Sequence, residues 1–494
     1  MRILNKYHTG AFKAARPEVK EGGDSMKVIL HFGVGSFHRA HQAWALQNAL
    51  NNKLTSQDNW AITGVCIMPQ DIGFIEQFRR QDCLYFVQTS SPEGKKNTQL
   101  VASIKQILHA KEDHQSIITH IVSSDTKIIT LTITEGGYNV DFAGNTFLWD
   151  NAAIQKDLKR EGQPKTIFRF LADGLRKRKE ENGAKIVLLS CDNIQKNGDV
   201  LKFALLEFLK KYDPNLIPWV VENVAFIKSM VDRITPAATA DQKDIFAELN
   251  EVQDNCLVIC EDYFQWVVQY HPQLTGIPLE EMGATIVEDV EPYEKMKLRL
   301  LNGGHSLVGL LGYCLGYDRI HTAVKDKHID ILYDRYARNE VIATLDPIEG
   351  IDYEVYLKNL KSRFSNPVIN DPVDRIISGS TDKIPKFILP VMENQLSGDS
   401  GQIKIGTLVL CAWFYYLNAE FNKNKMQDVV DLQKEQLLSI FQNEEQAQTR
   451  FIDWFSLLCV LAKNGNFRSL YEAYMEVINS SSIKSLVEQI VNEN

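Results

Sequence analysis

Apolar runs of six to nine residues alternate with segments of helical periodicity over roughly the first 290 positions. The runs are rich in Val, Ile and Leu, which predicts strands that are buried on both faces. Alternation of such strands with helices is typical of a largely parallel, doubly wound sheet of the Rossmann type. The predicted strands cover 26–32, 60–68, 127–134 and 185–190, and the predicted helices between them cover 36–50 and 166–179.

Beyond residue 290 the pattern changes to long helical periods. Pro292 suits the first turn of a new helix, and 494 residues exceed what one hydrophobic core usually supports. We therefore predict an α/β protein with a Rossmann-like doubly wound domain over 1–290 and a mostly helical domain over 291–494. The predicted helical segments are 293–316, 328–345, 353–364, 406–421 and 427–441.

Composition narrows the classes of partner. The formal net charge of −9 argues against nucleic acid. The longest apolar run, 405–417, is shorter than the roughly 20 residues that span a bilayer and predicts a buried helix. The first 25 residues predict an irregular lead-in without the apolar core of a signal peptide. Eight cysteines, mostly among apolar neighbours, indicate reduced buried thiols. We expect a cytoplasmic protein that is a monomer or a weak homo-oligomer.

A glycine turn follows the first long strand and precedes a helix. Gly33 and Gly35 would let a pyrophosphate approach the backbone at the positive end of the helix, although His38 stands at the third glycine of the full fingerprint. A plain tight turn is the alternative interpretation. Asp71 follows the second strand, where a carboxylate binds the adenosine ribose and repels a 2′-phosphate, which favours NAD. A helix N-cap is the alternative for Asp71.

Two clusters invite a metal hypothesis that the sequence does not favour. His31, His38 and His41 have no supporting carboxylate nearby, and Arg39 adds a fixed positive charge. Contacts to cofactor phosphates or to the second domain are the preferred role. Cys256 and Cys260 lack the usual zinc spacing. We predict no metal.

Polar residues end several strands. Glu135 and the pair Asp192–Asn193 follow two strong strands, at the edge where doubly wound sheets bind ligands. Side-chain-stabilised turns are the alternative. Asp232 and Arg233 lie between apolar residues, and they could form a structural ion pair or contribute a carboxylate to ligand binding.

An otherwise apolar segment carries Lys297, Asn302 and His305. On a straight α-helix they would lie at 0°, about 140° and about 80°, and Lys297 and His305 would be roughly 12 Å apart along the axis. A desolvated lysine becomes a usable acid or base near neutral pH. The pattern predicts a dehydrogenase that moves its proton with a lysine. Glu294, one turn earlier, could relay protons or simply pair with Lys297.

Taken in order, these segments make the chain resemble the polyol-specific long-chain dehydrogenase family. The matching segments are 33–42, 132–138, 190–193, 230–236, 297–305 and 380–387. The resemblance implies metal-independent, NAD-dependent interconversion of an acyclic polyol and its ketose, with D-mannitol and D-fructose as the expected pair. Gly304 departs from many relatives, which carry alanine or a small polar residue there.

The resemblance also implies residue roles. Lys297 would be the general acid/base, Asn193 and Asn302 would bind the oxygen that becomes an alkoxide, and His305 would orient the reacting groups. Three residues would contact the polyol hydroxyls: Asp232, Arg375 and Lys383. Seven residues would bind the cofactor: Gly33, Gly35, Phe37, His38, Arg39, Asp71 and Glu135.

Other activities remain open from the sequence. A fructuronate reductase and a D-arabinitol 4-dehydrogenase belong to the same family. The uronate enzyme should present an additional cation to its substrate. A non-catalytic sugar or dinucleotide sensor would need no proton shuttle, and a zinc-dependent alcohol dehydrogenase would lose activity with a chelator.

Overall fold

The chain forms two compact units in a computed structural model. The first unit comprises residues 1–91 and 95–291, and the second comprises 92–94 and 292–494. The structure describes residues 2–10, 12–16, 26–52, 59–141, 145–398, 401–423, 425–426, 428–431, 433–442, 446–458 and 460–493.

A six-stranded, all-parallel sheet forms the centre of the first unit. In chain order its strands are β1 (Lys27–Phe32), β2 (Trp60–Cys66), β3 (Ile104–His109), β4 (Thr126–Leu131), β5 (Ile186–Ser190) and β6 (Val224–Ile227). Across the sheet these strands lie in the order β6-β5-β4-β1-β2-β3, so the direction of strand addition reverses between β1 and β4. This order is that of a dinucleotide-binding doubly wound sheet and confirms the predicted fold.

Both faces of this sheet are covered. Along β1, Ile29 packs into one apolar cluster while its neighbour Leu30 packs into another, and both are fully buried. Burial on both faces explains why the strands are continuous apolar runs rather than alternating ones. The α-helices of this unit are Ser36–Ala40, Gln42–Asn52, Ile72–Arg80, His114–Val122, Thr134–Gly137, Ala152–Leu158, Ile167–Glu181, Asn197–Tyr212, Ile217–Asn223 and Ala240–Asn250. Short 3-10 turns occupy Pro69–Asp71, Pro214–Leu216 and Pro272–Leu274.

Smaller sheets, which the pattern did not predict, complete the first unit. One three-stranded sheet contains Ser229–Asp232, Gln265–Gln269 and Thr285–Val287, and another contains Tyr85–Ser90, Lys96–Val101 and Val258–Glu261. Val140–Asp141 pairs with Thr146–Phe147. Arg2–Ile3 pairs in parallel with Val252–Gln253, so the expected irregular lead-in is wrong at its start; residues 17–25 lie outside the described part. The predicted helix over 36–50 is two helices separated at His41.

The second unit is helical, as predicted. The apolar run 405–417 lies inside the helix Lys404–Asn422, where most side chains are buried in one large apolar core. The described part of the chain contains no helix that is both long enough and apolar enough to cross a bilayer. The last predicted helix begins at Lys434, and residue 427 lies outside the described part.

The helices of this unit have the following bounds. The α-helices are Glu291–Met296, Gly303–Leu315, Ile320–Ala323, Lys327–Arg335, Tyr353–Phe364, Val373–Ile377, Ser380–Phe387, Leu389–Ser397, Lys404–Asn422, Lys434–Phe441, Ala447–Leu458, Gly465–Ser480 and Ile483–Asn492. The π-helices are Lys297–Asn302 and Tyr336–Val341, and the 3-10 turns are Ile342–Thr344 and Val460–Lys463.

Candidate active site

The glycine turn after β1 has the geometry of a ligand-binding turn. Gly33 has φ +99°, and a Cβ atom there would lie 1.9 Å from the carbonyl oxygen of Thr132, so only glycine fits. A Cβ on Gly35 would meet no atom within 4 Å. Gly35 begins the helix Ser36–Ala40 without a side-chain cap, which leaves the first backbone N–H groups uncapped by a side chain. An open backbone and uncapped N–H groups fit the phosphates of a dinucleotide.

Three buried histidines lie behind this turn. The His31 ring bonds the hydroxyls of Thr130 (2.8 Å) and Thr132 (2.9 Å). The His38 ring stacks on His31 with centroids 3.4 Å apart, and its two nitrogens have no hydrogen-bond partner. Burial lowers the pKa of His31 to about 3 and that of His38 well below its usual value. Among the described residues, no three His, Cys, Asp or Glu side chains come together as a metal site would require.

Other groups of the protein contact the third histidine, His41, and its neighbours Phe37 and Arg39. Nε2 of His41 contacts the carbonyl oxygen of Gln265 at 3.0 Å, and the half-buried Phe37 stacks on the His41 ring. Arg39 is buried and donates a hydrogen bond to the carbonyl oxygen of Cys256. Two nitrogens of the Arg39 guanidinium therefore have protein partners, the Cys256 carbonyl oxygen and the Ser36 hydroxyl, whereas its Nε is buried without one.

Asp71 lies just beyond the carboxyl end of β2. Its Oδ2 atom accepts a hydrogen bond from the backbone N–H of Met68 at 3.2 Å, which closes the short turn Pro69–Asp71. The side chain is half-buried. Asp71 thus closes the turn from its third position rather than as an N-cap, since its side chain makes no capping bond to the helix Ile72–Arg80 that follows.

The ends of β4 and β5 are joined by a buried carboxylate to which the sequence assigned no separate role. Asp192 accepts hydrogen bonds from the backbone N–H groups of Ile133 (3.0 Å) and Thr134 (2.8 Å) and from the Tyr138 hydroxyl (2.7 Å). Burial raises the pKa of Asp192 to about 6. This carboxylate orders the loop that carries the exposed Glu135, and it precedes the exposed Asn193.

The pair at 232–233 has divided roles. Arg233 donates to the carbonyl oxygens of Ala40 (2.7 Å) and Glu261 (3.0 Å), and its guanidinium lies 4.1 Å above the Trp44 ring. These contacts make Arg233 a structural cation. Asp232 is a buried residue that ends the strand Ser229–Asp232.

In the second unit, Lys297 and Asn302 are the first and last residues of a π-helix. In an α-helix, a side chain five residues after another points about 140° away from it. In a π-helix, in which residue i bonds residue i+5, five residues make only slightly more than one turn, so the two side chains point in similar directions. The straight-helix projection is therefore wrong, and the two side chains lie closer to one face than predicted. Lys297 is only 6% exposed. The Oδ1 atom of Asn302 is buried without a hydrogen-bond partner.

Two glycines follow this π segment (Lys297–Asn302), and two tyrosines pack against them. The hydroxyl of Tyr333 donates to the carbonyl oxygen of Leu300 at 3.1 Å. A Cβ on Gly304 would lie 2.4 Å from the Tyr333 ring, and one on Gly303 would lie 3.0 Å from the Tyr336 hydroxyl. A tyrosine packed on the backbone therefore explains why residue 304 is a glycine.

His305 follows this turn as a neutral imidazole. It is buried and stacks on Phe364 with ring centroids 3.9 Å apart. Burial lowers the pKa of His305 well below its usual value, and the positive charges of Arg375, Arg363 and Lys383 lower it further. A neutral imidazole can both donate and accept a hydrogen bond.

Arg375 and Lys383 lie together on successive helices near His305. Arg375 forms a two-bond ion pair with Asp371. Nζ of Lys383 donates to the carbonyl oxygens of Ile376 (2.8 Å) and Arg375 (3.3 Å). Burial and the neighbouring Arg375 lower the pKa of Lys383 to about 8. The second unit therefore brings together Lys297 and Asn302 on one π turn, and His305 with two of the predicted substrate residues.

The sequence analysis missed Tyr333, Arg363 and Phe364. They lie 31 to 62 residues beyond the end of the π segment, and an isolated aromatic or charged residue in an amphipathic helix does not differ from a structural one in sequence. No local signal could have separated them from structural residues.

Comparison with known proteins matches most of the chain. Residues 27–279 match the family described as the mannitol dehydrogenase Rossmann domain, and residues 289–470 match the mannitol dehydrogenase C-terminal domain. Mannitol dehydrogenase 2 of Saccharomyces cerevisiae is 36% identical over 84% of this chain and 81% of its own length. A polyol:NADP oxidoreductase of Gluconobacter oxydans is 35% identical over 73% of this chain and 74% of its own.

A solved structure agrees with these sequence matches. The ternary complex of Pseudomonas fluorescens mannitol 2-dehydrogenase with NAD and D-mannitol is 28% identical, with a TM-score of 0.85 over 99% of this chain and 100% of that one. Together with the glycine turn and the buried lysine, these matches show that the chain belongs to the mannitol dehydrogenase family and is a polyol dehydrogenase that uses a nicotinamide cofactor.

Proposed function

We propose that the protein interconverts D-mannitol and D-fructose by hydride transfer with NAD, and that Lys297 is the general acid/base. The observation that carries this proposal is the burial of an amine on a π turn that ends at Asn302. Lysine in a water-poor site loses proton affinity, which suits proton exchange with a substrate hydroxyl near neutral pH.

The neighbouring groups support such a reaction. As the C2 hydride leaves mannitol, the C2 hydroxyl proton passes to the Lys297 amine, and the amide N–H groups of Asn193 and Asn302 stabilise the developing negative oxygen. The unpartnered Oδ1 of Asn302 costs free energy while buried, and a polyol hydroxyl would relieve that cost by donating to it. Neutral His305 can orient the same oxygen without adding charge.

We also assign residues of the two domains to the binding of the cofactor and of the substrate hydroxyls. We assign 1–290 to cofactor binding and 291–494 to substrate binding and catalysis. Asp232, Arg375 and Lys383 are the proposed polyol contacts. The bound nicotinamide supplies the hydride acceptor. The residues proposed to hold the dinucleotide are Gly33, Gly35, Phe37, His38, Arg39, Asp71 and Glu135.

Asp71 is the basis for proposing NAD rather than NADP. A carboxylate at the end of β2 can bind a ribose hydroxyl, but it repels a 2′-phosphate. The complex similar to this chain contains NAD, whereas the name of the Gluconobacter relative specifies NADP, so the family similarity alone leaves this choice open.

A uronate is the second candidate substrate. Arg363 is buried and its charge lowers the pKa of His305, so it is an additional cation near that imidazole. Such a cation is what a fructuronate carboxylate would require.

Seven free thiols in the described chain favour a reducing compartment such as the cytoplasm.

A substrate panel tests the proposed function. Steady-state rates should be measured for D-mannitol, D-arabinitol and D-sorbitol with NAD and NADP, and for fructose and fructuronate with NADH. We expect the highest kcat/KM for D-mannitol with NAD and for fructose in reverse. Activity on fructuronate without activity on fructose would replace the first candidate with the second.

A further inference from the structure

Tyr333 contacts the π segment of Lys297 and Asn302 through its hydroxyl, and it contacts Gly304, which follows this segment, through its ring. It lies on the helix Lys327–Arg335 and is fully buried. Its hydroxyl donates to the Leu300 carbonyl, in the middle of the π segment. Its ring occupies the space that any side chain at residue 304 would need.

The first contact fixes the π turn itself. A π-helix is rare because its hydrogen-bond register departs from that of the α-helices on either side, and single π turns often occur at functional sites. A buried hydroxyl that bonds one carbonyl of the turn adds an anchor from a separate helix. Loss of this bond would let the turn relax, and relaxation toward α geometry would rotate Asn302 away from Lys297 by up to about 90°.

The second contact extends to the imidazole. Tyr333 packs on Phe364 with ring centroids 5.7 Å apart and planes inclined by 26°. Phe364 in turn stacks on His305 at 3.9 Å. One tyrosine therefore contacts the turn that bears the lysine and the amide, and through one phenylalanine it supports the histidine.

We propose that Tyr333 is a positioning residue for the reaction, because it holds the π turn of Lys297 and Asn302 and, through Phe364, the ring of His305. This inference rests on the proposed role of Lys297. It concerns geometry only, since Tyr333 reaches these residues through Leu300, Gly304 and Phe364.

The chain provides a matched control three residues further on. Tyr336 is also fully buried, but its hydroxyl has no hydrogen-bond partner. Removing one oxygen atom from either tyrosine makes the same chemical change in the same part of the core. Only at Tyr333 does the change remove a hydrogen bond to the π segment.

The test compares Tyr333→Phe with Tyr336→Phe in the full chain. For Tyr333→Phe we expect kcat to fall about 10- to 100-fold, because displacement of reacting groups by about 1 Å can cost that much. The KM for polyol and the Kd for NADH should change much less, within about twofold, since most of the proposed polyol and cofactor contacts lie outside the π turn. The midpoint of the kcat–pH profile should also move, because the lysine changes its surroundings. Tyr336→Phe should stay within about twofold of wild type in all four quantities.

The outcomes separate this inference from the proposed function. A wild-type protein that oxidises no polyol would overturn the proposed function and, with it, this inference. An active wild type with equal kcat in the two variants would overturn the inference alone. A lower kcat in Tyr333→Phe with an unchanged pH midpoint and a lower fraction of folded protein by circular dichroism would mean that Tyr333 only stabilises the core, which also overturns it.

Discussion

Alanine at residue 304 should destabilise the second unit, even though alanine normally stabilises a helix. The new Cβ would lie 2.4 Å from Cε2 of Tyr333, 2.8 Å from its Cζ and 2.9 Å from its hydroxyl oxygen. These distances are too short for any contact, and the ring is fully buried. Either the ring or the helix Gly303–Leu315 must therefore move.

The magnitude follows from three contributions to the free energy of unfolding. Overpacking a well-filled core costs about 1–3 kcal/mol. Displacement of the ring also removes the hydrogen bond from Tyr333 to Leu300, which is worth about 1 kcal/mol net. Alanine recovers about 1 kcal/mol of helix propensity relative to glycine. We expect Gly304→Ala to lower the free energy of unfolding by about 1–3 kcal/mol and to lower kcat.

The assay is urea unfolding of the full chain followed by far-ultraviolet circular dichroism, together with kcat. Gly465→Ala is the matched control, because a Cβ there meets no atom within 4 Å and the residue begins another helix of the same unit. That control should change the free energy of unfolding by no more than about 0.5 kcal/mol. In a Tyr333→Ala background, Gly304→Ala should lose most of its cost. A Gly304→Ala variant as stable and as active as Gly465→Ala would refute the packing argument.

Three further predictions concern charge. With a pKa of about 8, Lys383 is a cation below pH 8 and loses its proton above it. The KM for polyol should therefore rise above about pH 8, and this rise should occur at a higher pH in Lys383→Arg. An identical pH profile of KM in Lys383→Arg and in the control Lys386→Arg would contradict the role of Lys383 in polyol binding. The pKa of His305 lies well below its usual value, so its imidazole NMR shifts should stay constant from pH 6 to 8, and a midpoint near 6.5 would show that its site is wetter than described. Asp71→Ala should lower kcat/KM for NAD about 10- to 100-fold by loss of charged hydrogen bonds, and it should leave kcat/KM for NADP unchanged or improved. The control Glu76→Ala should change neither value. An unchanged ratio of kcat/KM for NAD to kcat/KM for NADP in Asp71→Ala would show that Asp71 does not bind the ribose.

The sequence predicts most of the parallel sheet because its strands are buried on both faces and stand out as apolar runs. The small sheets escaped prediction for the opposite reason. Lys96–Val101, for example, begins with exposed polar residues and becomes buried only at its end, so it lacks a continuous run and a regular alternation. Its pairing with Tyr85–Ser90 is set by tertiary contacts rather than by local preference.

The candidate site is predictable in residue type but not in geometry. Lys297, Asn302 and His305 are conspicuous because polar side chains are rare in apolar helices. The π turn is invisible in the sequence, since Lys297 and Arg299 are buried together with the three leucines of the turn, and a helix without a solvent-facing side does not reveal its period. Contacts from Tyr333 depend on the tertiary fold.

The central claim is that the amine of Lys297 moves the proton. Lys297→Ala should lower kcat by about 10²- to 10⁴-fold, the usual contribution of a general acid or base. The Kd for NADH should remain nearly unchanged, and added methylamine should restore part of the rate. The control Lys295→Ala removes an amine from the preceding helix Glu291–Met296, where it lies 3.4 Å from an Asp346 carboxylate oxygen, and should behave like wild type. A Lys297→Ala variant that loses NADH binding, or that keeps its full rate, would contradict the account.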